Sequence, residues 1–157
     1  MNLNVDKILI IGLGMIGSSI ALASKSKGIN VYGFDKSNNS IKEALKKNII
    51  DSKVESIEDI NSKDFVKKVD LIIIAVPPKQ TLDVLNDLKD IWNTDVTITD
   101  TSSVKNHIKL NGASNIVLSH PIAGSDQSGI SAANGDLFKN KKNVLCDPFN
   151  SKKGHFE

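Results

Sequence analysis

Short apolar runs alternate along the chain with segments in which apolar residues recur at helical spacing. The apolar runs are strand candidates at residues 7–11, 29–34, 71–76, 96–99, 115–118 and 143–146, with a weaker one at 53–55. Helices are predicted at residues 15–27, 37–47, 61–68, 79–91 and 104–110. Strands that alternate with helices predict an α/β fold with a doubly wound, mostly parallel sheet.

The run at residues 71–76 is apolar throughout, without the alternation of a half-exposed strand. A continuous apolar run is typical of the centre of a parallel sheet, which helices cover on both faces. Pro77 and Pro78 then end the strand, because proline cannot continue a β ladder. We therefore expect residues 71–76 to lie in the middle of the sheet.

The first strand runs directly into a glycine-rich turn with the spacing Gly12-x-Gly14-x-x-Gly17. In a dinucleotide-binding turn the first glycine allows a tight bend, the second a close approach to a pyrophosphate, and the third close helix–strand packing. The helix that begins at Met15 and Ile16 presents free N–H groups to the phosphates. The sequence predicts a Rossmann-like, dinucleotide-binding domain.

Asp35 ends the second strand, eighteen residues after Gly17. An acid at this place accepts hydrogen bonds from a ribose hydroxyl and repels the extra phosphate of NADP, so NAD is the favoured cofactor and NADP the less favoured one. The neighbouring Lys36 weakens this preference, because its ammonium could reach a 2′-phosphate. The alternative interpretation is that Asp35 simply begins a turn.

Composition narrows the class of protein further. A net charge of +2, with 39% hydrophobic and 24% charged residues, favours neither a nucleic-acid nor a membrane partner. Cys146 is the only cysteine, which rules out an intrachain disulfide, and we expect it to be a small buried residue on the last strand. No metal site is predicted. Because the start of the sequence does not resemble a signal peptide, we expect a cytoplasmic protein.

The second unusual stretch runs Ser-His-Pro-Ile-Ala-Gly-Ser-Asp over residues 119–126, just after the sixth predicted strand. Open α/β sheets bind ligands at this edge, and a histidine such as His120 can accept a proton near neutral pH. Ser103 and Asp126 are candidate partners that orient it. The alternative interpretation is that His120, which precedes a proline, has a structural role. His107 is expected to be a solvated surface residue.

Three blocks of sequence together resemble the prephenate/arogenate dehydrogenase family, the NAD(P)-dependent oxidoreductases of tyrosine biosynthesis. They are the glycine turn at residues 12–19, Asp-Thr-Ser-Ser-Val-Lys at residues 100–105, and the block that begins at Ser119 and continues to Gly129. The last block is the most specific, since the glycine spacing alone occurs in many families. The resemblance covers nearly all of this chain but only the N-terminal half of a family member.

The resemblance implies that His120 draws the proton from the ring hydroxyl of prephenate or arogenate while the hydride goes to nicotinamide. Loss of the ring carboxylate as CO₂ then restores aromaticity. Ser103 matches the serine that hydrogen-bonds this histidine, Val76 and Pro77 match the cofactor-lining segment, and Ser125 and Asp126 are substrate-side candidates. The implied partners are a small-molecule substrate and, in a full-length protein, a second copy in a homodimer.

Three departures from the family qualify this prediction. Ser102 stands where members usually have glycine, and Asp126 where they have glutamate. The chain also contains no arginine, whereas the helical C-terminal half of family members supplies one for the substrate carboxylate. We therefore interpret residues 1–147 as the dinucleotide-binding domain and 148–157 as a linker or the truncated start of a helical substrate and dimerisation domain, with weak or absent turnover by this chain alone.

Two alternatives stay open from the sequence. A β-hydroxyacid-type dehydrogenase domain shares the glycine opening and a strand that ends in a proline-containing turn, but lacks the His-Pro-Ile-Ala-Gly block. A non-catalytic NAD-binding module is the second alternative, and the short chain is its main support.

Overall fold

The computed structural model describes residues 5–149, 151 and 155. The strands are β1 (Lys7–Ile11), β2 (Asn30–Phe34), β3 (Ser52–Lys53), β4 (Leu71–Ile74), β5 (Thr97–Asp100), β6 (Leu118–Pro121) and β7 (Asn143–Cys146). The helices are α1 (Met15–Lys25), α2 (Asn38–Lys46), α3 (Ile57–Ile60), α4 (Lys63–Val66) and α5 (Pro78–Asp87), with 3₁₀ turns at Lys89–Ile91 and Ile130–Ala132.

Five strands form a parallel sheet in the order β3-β2-β1-β4-β5. The strand β1 is central, because Ile8 pairs with Val31 of β2 on one side and with Leu71 of β4 on the other. The chain moves outward from β1 to β3 and then returns to β4 on the opposite side. This reversal opens a crevice at the carboxyl end of β1, and it confirms the predicted doubly wound, mostly parallel α/β fold.

The central strand carries apolar side chains to both faces of the sheet. Leu9 and Ile11 pack into one buried cluster, whereas Ile8 and Ile10 pack into the other. Successive residues of a strand point to opposite faces, so one unbroken apolar run fills two cores. The glycine turn thus begins from a strand that is fixed on both sides.

The sixth strand differs from its prediction. The amide of Ile98 donates to the carbonyl of Asn115 at 2.8 Å, and the amide of Val117 donates to Ile98 at 2.9 Å, so this part runs parallel to β5. From Leu118 onward the chain pairs instead with β7, in an antiparallel two-stranded sheet. Of the predicted strand at residues 115–118, only Leu118 therefore belongs to β6, which extends to Pro121, and residues 115–117 lie beside β5.

The helix predicted at residues 104–110 is wrong, because this segment contains only a turn at residues 106–107 and is otherwise irregular. The hydroxyl of Ser102 donates to the carbonyl of Val104 at 2.8 Å and accepts from its amide at 3.2 Å. Such local bonds compete with a helical ladder. Apolar spacing in this segment serves a different purpose, since Ile108 and Leu110 are buried in the core.

The prediction of a buried Cys146 is also wrong. All four residues of β7 are exposed, because this strand forms the outer half of the small antiparallel sheet. Periodicity identified the strand correctly, whereas its exposure depends on which neighbours cover it. Within the described part of the chain, none of the helices is long and apolar enough to cross a membrane.

Serine side chains fix several helix starts. The hydroxyl of Ser37 accepts from the amide of Ser40 at 3.2 Å and caps α2. The helix predicted at residues 61–68 is shorter in the structure, where it is α4 with Ser62 as its cap, and the unpredicted α3, capped by Ser56, precedes it. A cap satisfies an amide that has no partner in the first helical turn, so each serine defines a helix boundary.

Asp51 ties α1 to the sheet. Its carboxylate accepts from the Lys25 ammonium at 2.6 Å and from the Val31 amide at 2.8 Å. Burial raises the pKa of the Asp51 carboxyl, but the hydrogen bonds from Lys25 and Val31 outweigh it, and the net pKa is lowered. The folded state therefore favours the ionised carboxylate.

We predict that Asp51→Asn lowers the free energy of unfolding by about 1 kcal/mol at neutral pH. The carboxyl pKa is lower in the folded state than its value of about 3.9 in the unfolded chain, so its stabilisation is present above the unfolded pKa and is lost as the pH falls through the folded one. Urea unfolding at neutral and at acidic pH measures this. The exposed Asp83→Asn is the control, and an equal loss at both pH values would contradict the prediction.

Candidate functional site

The turn after β1 needs glycine at its first position. Gly12 has φ +97°, and its amide donates to the carbonyl of Phe34 at 2.8 Å. A Cβ built on Gly12 would lie 2.6 Å from the carbonyl oxygen of Ala75, at the end of β4. Both the backbone conformation and the close approach of a neighbouring strand therefore exclude a side chain here.

The two other glycines differ from each other in what surrounds them. A Cβ on Gly17 would lie 1.9 Å from the carbonyl oxygen of Gly12, so α1 packs directly against the turn. A Cβ on Gly14 would have no atom within 4 Å and would enter open space. Gly17 is thus required for packing, whereas Gly14 leaves a space that an approaching ligand can fill.

The first turn of α1 begins directly after Gly14, which is the N-cap of this helix. The amides of Met15, Ile16 and Gly17 belong to the helix start, where no preceding helical carbonyl is available to them. The first turn of α1 contains no acidic side chain. The positive end of the helix dipole is therefore not neutralised locally, which suits a phosphate group.

Asp35 joins the glycine turn to the end of β2. One carboxylate oxygen accepts from the Leu13 amide and the other from the Ser37 amide, each at 2.7 Å. Asp35 thus begins a turn, as the alternative interpretation held. Each oxygen has a second lone pair, so ribose binding by Asp35 stays a prediction that is compatible with this geometry.

A pocket of about 220 Å³ lies at the crevice beside β1. Of the predicted cofactor residues, five form its wall: Gly12, Gly14, Asp35, Val76 and Pro77. Met15, Ile16 and Gly17, which were also predicted to bind the cofactor, are not among the residues that line it. The remaining lining residues are Ile11, Phe34, Lys36, Ile57, Ala75, Gln80, Val84 and Asp87.

The sequence interpretation missed the contribution of α5 to this wall. Gln80, Val84 and Asp87 line the pocket from one side of that helix. Their spacing of four and then three residues is that of a single helical face. This helical spacing is visible in the sequence, but its relation to the pocket becomes clear only once α5 is known to follow β4, the strand next to β1.

The turn that carries Ser103 is organised by Asp100, the last residue of β5. The Asp100 carboxylate is fully buried, and it accepts from the Lys105 ammonium at 2.5 Å and from the Ser102 amide at 3.0 Å. It also accepts from the amide of Ser119 in β6 at 3.1 Å. Ser103 and the strand of His120 are therefore anchored to the same residue.

His120 lies on β6, opposite Val144 of β7, and is half-buried. Its Nδ1 atom is buried and has no hydrogen-bond partner among the described residues. The hydroxyl of Ser125 donates to the Asp126 carboxylate at 3.2 Å, and both residues are exposed. Neither Asp126 nor the exposed Ser103 supplies the bond to His120, so their orienting roles stay predictions.

The other two histidines have separate contacts. His107 is exposed, as predicted, and its Nε2 lies 3.0 Å from the carbonyl oxygen of Pro78. His155, to which the sequence assigned no role, has its Nδ1 2.8 Å from the Thr97 hydroxyl. It lines an apolar groove of about 460 Å³ together with residues of α1, β5 and β7. That groove contains none of the predicted catalytic or cofactor residues.

The parallel sheet, the glycine turn and the pocket at its reversal point define the class of protein: a dinucleotide-binding α/β domain. The family described as "Prephenate dehydrogenase, nucleotide-binding domain" matches residues 20–157. The chain belongs to this family. The resemblance stated from the three sequence blocks is confirmed.

Individual relatives agree with this assignment. The chain is 39% identical to the prephenate dehydrogenase of Lactococcus lactis subsp. cremoris, over 91% of this chain and 41% of the relative, and 38% identical to that of Bacillus subtilis, over 92% and 40%. The prephenate dehydrogenase of A. aeolicus, solved with hydroxyphenyl propionate and NAD⁺, superposes with a TM-score of 0.82 at 28% identity, over 99% of this chain and 55% of that one. The chain thus spans about two fifths of its curated relatives.

We predict stability effects of very different size from alanine at two glycines of the turn. Gly17→Ala places a methyl group against the Gly12 carbonyl and should cost about 3 kcal/mol or more. Gly14→Ala enters open space at a negative φ and should change the free energy of unfolding by less than about 1 kcal/mol. Thermal or urea unfolding distinguishes the two, and equal destabilisation would contradict the different roles of the glycines.

Proposed function

We propose that the chain is the NAD-binding portion of an enzyme that oxidises and decarboxylates prephenate. The observation that carries this proposal is the pocket formed by the glycine turn and Asp35 in a chain of the prephenate dehydrogenase family. Arogenate is the related substrate to be tested beside prephenate. A β-hydroxyacid-type domain is disfavoured by the family to which the chain belongs.

The residues at the pocket suit a dinucleotide. Gly14 leaves space above the turn, and the amide-rich start of α1 provides partners for a pyrophosphate. The Asp35 carboxylate lies in the wall and suits a ribose that has free hydroxyl groups. The presence of NAD⁺ in the A. aeolicus complex supports the same cofactor here.

In the proposed reaction His120 accepts the proton of the substrate's ring hydroxyl. The glycine turn and Asp35 would hold NAD, whose nicotinamide would supply the acceptor for the hydride from the ring carbon that carries this hydroxyl, and loss of the ring carboxylate as CO₂ would leave an aromatic product. The unsatisfied, buried Nδ1 supports a functional role for His120, since an unpaired buried ring nitrogen costs about 1–3 kcal/mol and is rarely kept without use. Ser103 would bond the imidazole ring of His120, and Ser125 and Asp126 would face the substrate.

We further propose that residues 1–147 form the cofactor domain and that 148–157 lead into a helical substrate and dimerisation domain. The length of the relatives supports this organisation, because they extend well beyond the matched part. The absence of arginine in this chain also supports it, since a second domain would have to supply the two-pronged anchor for a substrate carboxylate. The complete enzyme would be a cytoplasmic homodimer.

Asp35 should set the cofactor preference. We predict that the chain binds NAD at least about tenfold more tightly than NADP, a difference of about 1.4 kcal/mol. Asp35→Asn should reduce this ratio, because it removes the charge that repels a 2′-phosphate. Calorimetry with both cofactors measures it.

Lys36→Met is the matched variant for the same experiment. It should weaken NADP binding further and leave NAD binding unchanged, because only NADP has a phosphate for the Lys36 ammonium to reach. Equal affinities of the unaltered chain for NAD and NADP would remove the argument from Asp35.

Replacement of His120 should lower the rate of turnover and leave the affinity for the cofactor unchanged. In the full-length protein that carries this chain, we predict that His120→Asn lowers kcat by about 10²–10⁴-fold, the usual contribution of a general base, with NAD affinity unchanged. His107→Asn is the control. An unchanged kcat would exclude His120 as the proton acceptor, and a parent protein that binds NAD but turns over neither prephenate nor arogenate would favour the non-catalytic module.

A further inference from the structure

We propose that Asp100 and Lys105 form a positioning pair that fixes His120 relative to the turn carrying Ser103. This inference rests on the proposed function, because it concerns the same candidate base. It adds two residues that touch neither the nucleotide pocket nor the proton, and that act through the backbone on either side of the site.

The pair first closes the turn between β5 and Ser103. The Lys105 ammonium lies 2.5 Å from both carboxylate oxygens of Asp100, and the Ser102 amide donates to the same carboxylate at 3.0 Å. The Asp100 side chain is fully buried, whereas that of Lys105 is 21% exposed. The six residues from Asp100 to Lys105 are thereby bent into a loop, with Ser103 at its exposed outer side.

The same pair holds the residue that precedes His120. The Lys105 ammonium donates to the carbonyl of Ser119 at 2.6 Å, and the Ser119 amide donates to the Asp100 carboxylate at 3.1 Å. The Ser119 hydroxyl donates to the Asp100 carbonyl at 2.6 Å. Three hydrogen bonds thus fix the peptide from which the His120 side chain projects.

These contacts use the whole hydrogen-bonding capacity of the lysine. An ammonium has three donors, and those of Lys105 are directed to the two Asp100 oxygens and the Ser119 carbonyl. Lys105 therefore has no donor left for a substrate carboxylate in this arrangement. A buried ion pair is a weak source of stability compared with apolar packing, but it imposes a definite geometry. Positioning is the role that this geometry supports.

The test compares Lys105→Met, Lys105→Arg and Ser119→Ala. In the full-length protein, Lys105→Met should lower kcat for prephenate by about tenfold to a hundredfold, the effect of misplacing a catalytic group, with the KM for prephenate and the NAD⁺ affinity within about twofold. Lys105→Arg keeps the charge and the donors and should restore most of kcat. Ser119→Ala leaves the ion pair intact and should give an intermediate loss, so it remains informative if Lys105→Met does not fold.

Lys25→Met is the matched control, because the Lys25–Asp51 pair has similar lysine exposure, 18%, but lies on the other side of β1. It should reduce stability and leave kcat unchanged. Equal kcat losses in the Lys25 and Lys105 variants, or an unchanged kcat in a folded Lys105→Met protein, would overturn the positioning role.

A second readout does not depend on turnover. In the chain itself, at fixed pH, Lys105→Met should shift the His120 ring signals in the NMR spectrum, whereas the control Lys25→Met should leave them in place. Unshifted His120 signals would overturn the inference. If the unaltered full-length protein oxidises neither substrate, the proposed function fails, while the His120 signals still decide whether Asp100 and Lys105 position that side chain.

Discussion

The fully buried carboxylate of Asp100 connects two segments that are distant in the sequence. It accepts hydrogen bonds from Ser102 and Lys105 in its own turn and from Ser119 in the next strand. Removing one partner of a buried ion pair usually costs about 3–5 kcal/mol, because the remaining charge loses its compensation. The arrangement at the carboxyl edge of β5 and β6 therefore depends on this single side chain.

A second constraint determines the nucleotide pocket. A side chain on Gly12 would collide with the Ala75 carbonyl oxygen, and one on Gly17 would collide with the Gly12 carbonyl oxygen. The ends of β1 and β4 and the start of α1 therefore approach one another closely. This close approach leaves the pocket between the glycine turn, Asp35 and α5. The two constraints lie on the same edge of the sheet, where open α/β folds bind their ligands.

Much of the fold could be predicted because its signals are local. The apolar run of β1, the glycine spacing and the position of Asp35 lie within thirty residues, and the structure has them as the pattern predicts. The segment at residues 104–110 was predicted wrongly because its apolar spacing fits a helix, whereas the bonds of Ser102 and the tertiary contacts of Lys105 favour an irregular conformation. The exposure of Cys146 likewise depends on what covers β7, which is not encoded in the strand's own residues.

The candidate site divides in the same way. The glycines and His120 were recognisable by residue type and spacing, whereas the contacts of Asp100 with Ser119 span nineteen residues and leave no periodic signal. The face of α5 formed by Gln80, Val84 and Asp87 was partly predictable, because its helical spacing is visible in the sequence but its orientation towards the pocket is not. The long-range polar contacts of the site could be identified only in the structure.

The central claim is that the carboxyl edge of the sheet binds NAD beside His120. An NMR titration of the isotope-labelled chain with NAD⁺ tests it most directly. We expect the largest amide shifts at Gly12, Leu13, Gly14 and Asp35, with further shifts extending to Ser103 and the His120 ring. Shifts confined to the apolar groove between α1, β5 and β7, or no shifts at saturating NAD⁺, would contradict the claim.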